Sequence, residues 1–408
     1  MRFVIVGAGP AGMRAAEVLR MQAPEAEIVL VGDEPHLPYQ RPPLSKAFIT
    51  ERLASEALYL KPESFFTEQR ITLKLGAAAM RIDCAAKAVE LADGTRLAYD
   101  KLLLATGCRG RKLPPALESM PIYYLRSLSD ADRIRGALAP GIEIVMIGGG
   151  FIGLEIAASA TKLGAQVTVL EAAPRLMSRA MPGVISDFVR RLHEKHGVRF
   201  EFEARVKRIE PGESGRAIVT SERATYSAAL LIAGIGAEPN TELAEAAGLS
   251  VEDGIRVDPF GRTSDPDIFA AGDATRHDNP LLGRPIRVES WQVALNQAAI
   301  VARNMAGANE PYSELPWLWT DQYDCNIQML GFFEPELEMV LRGDPMSHAF
   351  TVLGLDPAGR IASAITVNTG RDMSVIRRLV ASNASPAKDA LADPGRKLAD
   401  LLKAARGA

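Results

Sequence analysis

The sequence has little of several features that mark common protein classes. Its 408 residues include only three cysteines and five histidines, and the formal net charge is −3. A charge this close to zero gives no reason to expect a nucleic-acid partner. The most apolar stretch, residues 142–160, is interrupted by Glu143, Glu155 and four glycines, so it does not predict a membrane span. With 47% hydrophobic and 24% charged residues, the chain is typical of a soluble globular protein.

The cysteines and histidines show no redox or ligand spacing. Cys84, Cys108 and Cys325 form no Cys-x-x-Cys or similarly close pair, which argues against a vicinal redox disulfide and a cysteine-ligated cluster. We interpret each cysteine as a small buried apolar residue. His193 and His196 lie three apart on a predicted helix without a third ligand at motif spacing, and a solvated helix face is the preferred interpretation. The sequence therefore predicts no metal site.

The amino terminus leads directly into an apolar strand at residues 3–6. No stretch typical of a signal peptide precedes it, so we expect a cytoplasmic enzyme. A length of 408 residues is typical of roughly two to three domains.

The first glycine-rich turn lies at residues 7–12. Gly7, Gly9 and Gly12 form a Gly-x-Gly-x-x-Gly pattern between that strand and a helix. Such glycines allow a tight turn and a close backbone approach to a pyrophosphate at a helix N-terminus. Asp33 follows the next strand, at the position of a ribose-binding carboxylate. Strand, turn, helix, strand and acid in this order predict a dinucleotide-binding unit rather than a β-α-β unit without a ligand.

A second turn of the same form follows the strand at residues 143–147. Its glycines are Gly148, Gly150 and Gly153, and Glu171 ends the next strand. A carboxylate there would hold a ribose 2′-hydroxyl and repel a 2′-phosphate, which predicts NADH over NADPH. Arg175 is near enough in sequence to weaken this preference. Two such units imply two dinucleotides.

Two other strand ends and one stiff loop hold further candidates. One strand runs into Ala105, Thr106 and Gly107, and another ends at Gly272 and Asp273. Asp273 could accept hydrogen bonds from a ribityl chain, or it could be an ordinary turn aspartate.

The stiff loop, residues 38–46, is rich in proline, which favours a rigid, extended backbone, and a short helix is predicted to begin at Ser45 and Lys46. It could deliver Lys46 beside a cofactor, or Arg41 and Lys46 could be solvated, and both alternatives stay open.

The order of these segments predicts an α/β fold with two Rossmann-like dinucleotide-binding domains and a C-terminal α+β domain. The first would comprise residues 1–110 and 236–313, the inserted second residues 111–235, and the third residues 314–408.

Asp33, the segment at residues 105–107 and the segment at residues 268–273 resemble the FAD-containing pyridine-nucleotide oxidoreductases of the glutathione-reductase fold. Four stretches are also similar to the ferredoxin reductases of bacterial oxygenase systems: residues 41–46, 148–155, 289–291 and 316–322. The similarity points most closely to reductases of the biphenyl and toluene dioxygenase type. Putidaredoxin and rubredoxin reductases are more distant relatives.

The resemblance implies roles for individual residues. Positions that contact FAD in the family are Ala11, Asp33, Lys46, Arg126, Asp273 and Trp291, with a main-chain contact at Ala79. Positions on the NADH side are Phe151, Ile152, Glu155, Glu171, Arg179 and Gly234. The chain departs from its relatives at Gly110, where proline is frequent, and at Ala172, where a hydroxyl residue can follow the ribose-binding acid; we expect small effects on affinity.

The implied activity is electron transfer from NADH through FAD to a [2Fe–2S] ferredoxin of the Rieske type, which serves a terminal oxygenase. A ferredoxin for a cytochrome P450 or a rubredoxin is the alternative acceptor.

Lys46 and Glu155 are the expected catalytic pair beside the flavin N5 and the nicotinamide, unless Glu155 only caps or packs its helix. Trp317 and Trp319 could shape the flavin face and a ferredoxin dock, or could pack a domain interface. The protein is expected to be a monomer or a homodimer.

Other activities are less consistent with the sequence. A disulfide reductase needs a cysteine pair, and a peroxidase would carry a thiol where Pro42 and Pro43 stand. A membrane quinone reductase is opposed because residues 388–403 are too charged for an anchor. A signalling protein in which the flavin reports NADH stays open.

Overall fold

The computed structural model describes residues 1–407, and the chain divides into two compact units. The first unit comprises Met1–Pro42, Ala54–Arg109 and Ala237–Pro316. The second comprises Pro43–Leu53, Gly110–Gly236 and Trp317–Ala408. The predicted domain boundaries stay a prediction. Within the described part of the chain, no helix is both long enough and apolar enough to cross a membrane.

The first unit is built on a five-stranded parallel sheet. Its order is Ile268–Ala270, Lys101–Leu104, Arg2–Val6, Glu27–Val31 and Ile71–Lys74. The central strands are almost continuously apolar because helices and further strands cover both faces of a parallel sheet. Val4 pairs with Val29 on one side and Leu102 on the other. Helices Pro10–Gln22 and Trp291–Met305 pack together over one face and share a buried core with it.

The second unit contains a four-stranded parallel sheet in the order Arg199–Phe202, Gln166–Glu171, Glu143–Ile147 and Leu230–Ala233. Helix Phe151–Lys162 connects two neighbouring strands of this sheet in a β-α-β unit. Because the carboxyl ends of parallel strands share one edge, the second glycine turn lies at that edge beside the end of Glu171's strand.

The C-terminal segment forms a five-stranded antiparallel sheet in the same unit. Its order is Trp317–Gln322, Cys325–Leu330, Ile361–Val367, Phe350–Leu355 and Glu338–Arg342. Buried side chains of this sheet join those around Leu154 and Phe188 in one apolar core, so it is packed firmly on the second nucleotide unit. The α/β class predicted from the sequence is confirmed.

The remaining elements are short strands and helices. Further strands are Ala79–Asp83, Ala88–Leu91, Arg96–Ala98, Cys108–Gly110, Val206–Pro211, Ala217–Ser221, Thr225–Ala228, Ala237–Pro239, Ile255–Val257, Thr275–Asn279 and Arg284–Ile286. Further α-helices are Ala47–Thr50, Glu63–Glu68, Leu128–Ala137, Gly183–Lys195, Glu242–Ala246, Gly370–Ala381, Lys388–Ala392 and Leu398–Gly407. Single 3-10 turns span Pro42–Ser45, Ser55–Leu58, Pro115–Leu117 and Glu213–Gly215.

The proline-rich loop differs from the predicted extended conformation at Pro42–Ser45, which forms a 3-10 turn. The short helix predicted after the loop is present as Ala47–Thr50, directly after Lys46. Proline fixes φ near −65°, a value that suits both an extended segment and a 3-10 turn, so the sequence could not separate them.

Candidate functional site

The first glycine turn is closely packed at two of its three glycines. A Cβ atom at Gly7 would lie 2.1 Å from the carbonyl oxygen of Ala105, and one at Gly12 would lie 1.9 Å from that of Gly7. At Gly9, no described heavy atom lies within 4 Å of the Cβ position. Helix Pro10–Gln22 begins there without a side-chain cap, so its first amides can bind an anion. The turn therefore fits the pyrophosphate of a dinucleotide.

Residues from a distant part of the first unit reach the same turn. Gly272 has φ +84°, and a Cβ atom on it would lie 3.1 Å from the Cβ of Ala11. Its backbone N–H donates to the buried Gln297 side chain at 2.8 Å. The thiol of Cys108 donates to a carboxylate oxygen of Asp273 at 3.5 Å. Asp273 is therefore beside the turn region rather than in a remote loop.

The segment after the strand Lys101–Leu104 is fixed by one asparagine. The Thr106 hydroxyl donates to the Asn240 carbonyl at 2.8 Å, and the Asn240 side chain donates to the Thr106 carbonyl at 2.9 Å. The Asn240 N–H donates to the Gly107 carbonyl at 2.9 Å. This reciprocal pairing holds the partly buried segment after the strand in one conformation.

Arg41 is anchored within the first unit rather than freely solvated. Its guanidinium donates to Glu34 at 2.8 Å and lies 5.0 Å from the centre of the Tyr39 ring. The Tyr39 hydroxyl donates to the other oxygen of Glu34 at 2.7 Å. Three other predicted residues of this unit occupy element ends: Asp33 is exposed after a strand, Ala79 begins a strand and Trp291 begins a helix.

The second glycine turn repeats the packing of the first. A Cβ atom added to Gly148 would lie 2.5 Å from the carbonyl oxygen of Gly234. One added to Gly153 would lie 2.4 Å from the carbonyl oxygen of Gly148. The nearest atom to a Cβ at Gly150 is 3.8 Å away, which leaves room beside the backbone. Helix Phe151–Lys162 begins here without a side-chain cap. This turn also fits a pyrophosphate.

Two predicted NADH positions lie in the first turn of that helix. Ile152 is 40% exposed, whereas Phe151 is partly buried in the core shared with the C-terminal sheet. An exposed apolar side chain beside an uncapped helix N-terminus is available for contact with a ligand.

Glu171 is oriented by the turn that it faces. Its two carboxylate oxygens accept hydrogen bonds from the backbone N–H groups of Gly149 and Ala173, each at 2.7 Å. Arg175 points elsewhere, since its guanidinium donates to the Met181 and Ser178 carbonyls and to the Ser186 hydroxyl. Its hydrogen bonds fix it as a structural residue of the loop.

Two further cofactor candidates of the second unit are Arg179 and Arg126. The exposed Arg179 has a guanidinium nitrogen 3.3 Å from the Cβ position of Gly236. Arg126 precedes helix Leu128–Ala137, and its backbone N–H donates to Asp130 at 3.1 Å.

Glu155 lies five residues into helix Phe151–Lys162 and is only 6% exposed. The Lys46 ammonium is 2.8 Å from Oε2, and the Ser45 hydroxyl donates to the same oxygen at 2.5 Å. The Thr320 hydroxyl donates to Oε1 at 2.6 Å. The predicted Lys46–Glu155 pair is therefore present, and Glu155 does not serve as a helix cap. A buried carboxylate with one cation and two hydroxyl donors is well compensated.

The hydrogen bonds continue from Glu155 into the core. The Gln322 amide donates to the Thr320 hydroxyl at 3.2 Å, and its oxygen lies 2.7 Å from Nε2 of His193. The hydroxyl of Tyr323 lies 3.4 Å from the other ring nitrogen. We define these residues, with Glu155, as the Glu155 network. It links the C-terminal sheet to two helices of the second nucleotide unit.

The prediction that both histidines lie on a solvated helix face was wrong for His193, which is fully buried. It is confirmed for His196, which is exposed. Burial lowers the pKa of His193 to about 4. Ile185 and Val189 precede it at four-residue intervals, so helical periodicity was the signal that could have placed it on the inner face.

Sequence reasoning also missed Ser45 and Thr320 as site residues. In the strand Trp317–Gln322 the buried positions are Thr320 and Gln322, whereas the tryptophans are partly exposed. A hydrophobic-inside pattern would place the tryptophans in the core, so periodicity gives no signal for Thr320.

Trp317 and Trp319 stack on each other with ring centroids 5.4 Å apart. The Trp319 indole N–H donates to Asp321 at 3.1 Å. Both rings are partly buried, and their two predicted roles stay predictions.

Comparison with known families agrees with this geometry. The family described as pyridine nucleotide-disulphide oxidoreductase matches residues 1–298, and the family described as reductase C-terminal matches residues 317–402. The chain belongs to the pyridine nucleotide-disulphide oxidoreductase family, and it is an FAD- and NAD(H)-dependent oxidoreductase. The resemblance recognised in the sequence is confirmed.

Individual relatives match along almost the whole chain. The chain is 48% identical over 393 residues to the anthranilate 1,2-dioxygenase system ferredoxin–NAD(+) reductase component of Burkholderia cepacia, covering 96% of this chain and 97% of the relative. It is 40% identical to the rhodocoxin reductase of Rhodococcus erythropolis, covering 94% and 90%. The crystal structure of the covalent putidaredoxin reductase–putidaredoxin complex contains a similar chain, with a TM-score of 0.95, 36% identity and coverage of 100% and 99%.

Proposed function

We propose that this chain oxidises NADH and reduces a small [2Fe–2S] ferredoxin that feeds an aromatic-ring dioxygenase. The observation that carries the proposal is the full-length similarity to a reductase component of such a system, at higher identity than to the reductase of rhodocoxin. We further propose a Rieske-type ferredoxin, a cytoplasmic location, a role in aromatic hydrocarbon catabolism, and a monomer or homodimer.

The two glycine turns would hold the two dinucleotides. The turn at Gly7, Gly9 and Gly12, with Asp33 and Asp273, fits FAD, and the turn at residues 148–153 with Glu171 fits NADH. Bound FAD supplies the chemistry that accepts a hydride from NADH and releases electrons one at a time. The packing supports this assignment because at Gly7, Gly12, Gly148 and Gly153 only glycine avoids a clash with backbone, while the Cβ positions at Gly9 and Gly150 are open toward a ligand.

The Lys46–Glu155 pair orients charge beside the NADH turn. Glu155 follows Gly153 by two residues on the helix that begins at this turn. Its carboxylate is fixed by Ser45 and Thr320, so it keeps one position while a ligand binds and leaves. Because the two charged side chains are already in position, they need not rearrange during the reaction. We therefore assign the Lys46–Glu155 pair a positioning role in hydride transfer.

Glu171 sets the choice of coenzyme. Both its oxygens accept backbone hydrogen bonds, so the carboxylate is held in one position at the turn. A 2′-phosphate placed there would meet a fixed negative charge. The structural use of Arg175 removes the nearest cation that the sequence offered as a phosphate partner.

The acceptor is the part of the proposal that needs an experiment. NADH-dependent cytochrome c reduction is measured with the FAD-loaded protein alone and with a Rieske-type dioxygenase ferredoxin, putidaredoxin or rubredoxin added. The proposal expects strong dependence on ferredoxin and the highest kcat/KM with the Rieske-type protein. A preference for putidaredoxin or rubredoxin would assign the chain to a cytochrome P450 or rubredoxin system instead. Rates unaffected by any of the three would contradict a ferredoxin reductase and favour the signalling alternative.

A further inference from the structure

The C-terminal sheet brings together three metal-ligand side chains that the sequence keeps apart. Asp324 and Cys325 lie at the turn between strands Trp317–Gln322 and Cys325–Leu330, and His348 precedes strand Phe350–Leu355. One ligand atom from each of the three lies within 4.8 Å of the others. We propose that Asp324, Cys325 and His348 form a binding site for a divalent transition metal of the zinc class.

The distances suit a small tetrahedral ion. The Cys325 sulfur lies 3.7 Å from Oδ1 of Asp324 and 3.7 Å from Nδ1 of His348. Ligands about 2.0 to 2.3 Å from a tetrahedral zinc ion are separated by distances of this size. The two separations from sulfur match this spacing, and the Asp324 and His348 ligand atoms lie within 4.8 Å of each other.

The chemistry of the ligands selects the metal. A thiolate, an imidazole and a carboxylate suit zinc and its neighbours, whereas magnesium and calcium prefer oxygen ligands alone. Three protein ligands leave a fourth position for water. Asp324 and His348 are exposed while Cys325 is buried, so an ion can enter from solvent and reach the sulfur.

Asn368 holds two of the three ligand residues, Cys325 and His348, through hydrogen bonds. Its side-chain amide donates to the Cys325 sulfur at 3.6 Å and to the His348 carbonyl at 2.9 Å. Its side-chain oxygen accepts from the backbone N–H of Asn326 at 2.8 Å. Asn368 also has φ +53°, a left-handed conformation that these hydrogen bonds hold in place. Such outer-shell support orients metal ligands in known sites.

Metal binding would displace a proton from sulfur. As the metal–sulfur bond forms, the thiol proton leaves to solvent, and neither oxidant nor reductant is required. The apparent affinity should therefore rise with pH.

Cobalt(II) provides the spectroscopic test on the FAD-loaded protein. We expect one equivalent to produce d–d bands in the red, where oxidised flavin does not absorb. A sulfur-to-cobalt charge-transfer band should appear in the near ultraviolet in the difference spectrum against the cobalt-free protein, and Zn²⁺ should abolish both by competition. Cys325→Ser should remove the charge-transfer band, whereas the control Cys84→Ser should retain it. Weak binding without charge transfer, or bands that persist in Cys325→Ser, would overturn the proposal.

Two further variants separate binding from folding, because Cys325 lies in the core. His348→Ala changes an exposed side chain and should weaken cobalt binding at least tenfold while the FAD content stays unchanged. Asn368→Gly keeps the left-handed backbone and should weaken binding roughly 10- to 100-fold through loss of ligand support. Unchanged cobalt affinity in a folded His348→Ala protein would exclude the site.

Discussion

The Thr320 hydroxyl donates a 2.6 Å hydrogen bond to Glu155, although 165 residues separate the two in the chain. Glu155 belongs to the helix at the NADH turn, and Thr320 belongs to the C-terminal sheet. A hydroxyl from the C-terminal segment thus completes the surroundings of a charged group at the second nucleotide turn.

We expect Thr320→Ala to lower the stability of the protein by about 2 kcal/mol, because a hydrogen bond to a buried charge is lost. Thr320→Ser keeps the hydroxyl and should recover most of the loss. Thermal unfolding of the FAD-loaded proteins measures the difference. Equal melting temperatures for the alanine and serine variants would show that the hydrogen bond contributes nothing.

Glu155→Gln should slow NADH-dependent flavin reduction on the order of tenfold, equivalent to about 1.4 kcal/mol of barrier. The amide keeps the shape of the side chain but leaves Lys46 without its paired charge. Anaerobic stopped-flow loss of flavin absorbance gives the rate. Glu194→Gln, on an exposed position of helix Gly183–Lys195, is the matched control and should behave as the unaltered chain.

The double variant Lys46→Met/Glu155→Gln tests whether the two residues act as a pair. If they do, the double variant should be little slower than Glu155→Gln alone, since effects within one unit are not additive. If the losses in the rate of flavin reduction from the two substitutions multiplied in the double variant, the residues would act independently and a joint role would be contradicted.

The unaltered chain should use NADH with a higher kcat/KM than NADPH. Glu171→Ala removes the fixed negative charge and should raise the NADPH-to-NADH ratio of kcat/KM at least tenfold, about 1.4 kcal/mol. Steady-state kinetics with both coenzymes measures the ratio. Equal or better kcat/KM with NADPH in the unaltered chain would refute the role of Glu171.

Gly9→Ala and Gly12→Ala should fail in different ways. Gly9 has φ −81°, which alanine adopts, and its Cβ position is open, so the variant should fold but bind FAD at least tenfold more weakly. At Gly12 the added Cβ would lie 1.9 Å from a backbone oxygen, so the turn itself must shift and the melting temperature should fall. FAD content and thermal unfolding distinguish the two. Full FAD occupancy in Gly9→Ala would argue against pyrophosphate at this turn.

His193 should make the fold less stable in mild acid. Its pKa falls from 6.5 to about 4 on burial, so the unfolded chain binds the proton more tightly. The contribution of His193 to the free energy of unfolding is complete above about pH 6.5. It declines as the pH falls toward 4, by about 2 kcal/mol between pH 7 and pH 5. His193→Asn should show a smaller drop in melting temperature over that range.

The control for this pH dependence is His196→Asn, which removes an exposed imidazole and should leave the drop unchanged. Part of the dependence should persist in His193→Asn, because burial also lowers the pKa of His277 to about 4. An identical pH profile in the His193 variant and the unaltered chain would show that His193 does not contribute.

The sequence by itself predicted the two glycine turns, an acidic residue after the next strand in each case, and the family. These features are local: a glycine pattern between a strand and a helix needs only neighbouring residues, because φ, chain reversal and amide exposure are decided within a few positions. The pairing of Lys46 with Glu155 was also foreseen, but from resemblance rather than from spacing.

Only the tertiary structure decided what surrounds those residues. Thr320 reaches Glu155, Gln322 reaches His193, and His348 reaches Cys325 because antiparallel strands and packed helices bring distant segments together. Burial then changes the chemistry: it compels polar side chains to find partners, and it shifts the pKa of His193 and Cys325 in opposite directions by disfavouring the charged form of each. Helical spacing indicated a buried face for His193, but the partners of these side chains depend on which elements pack face to face.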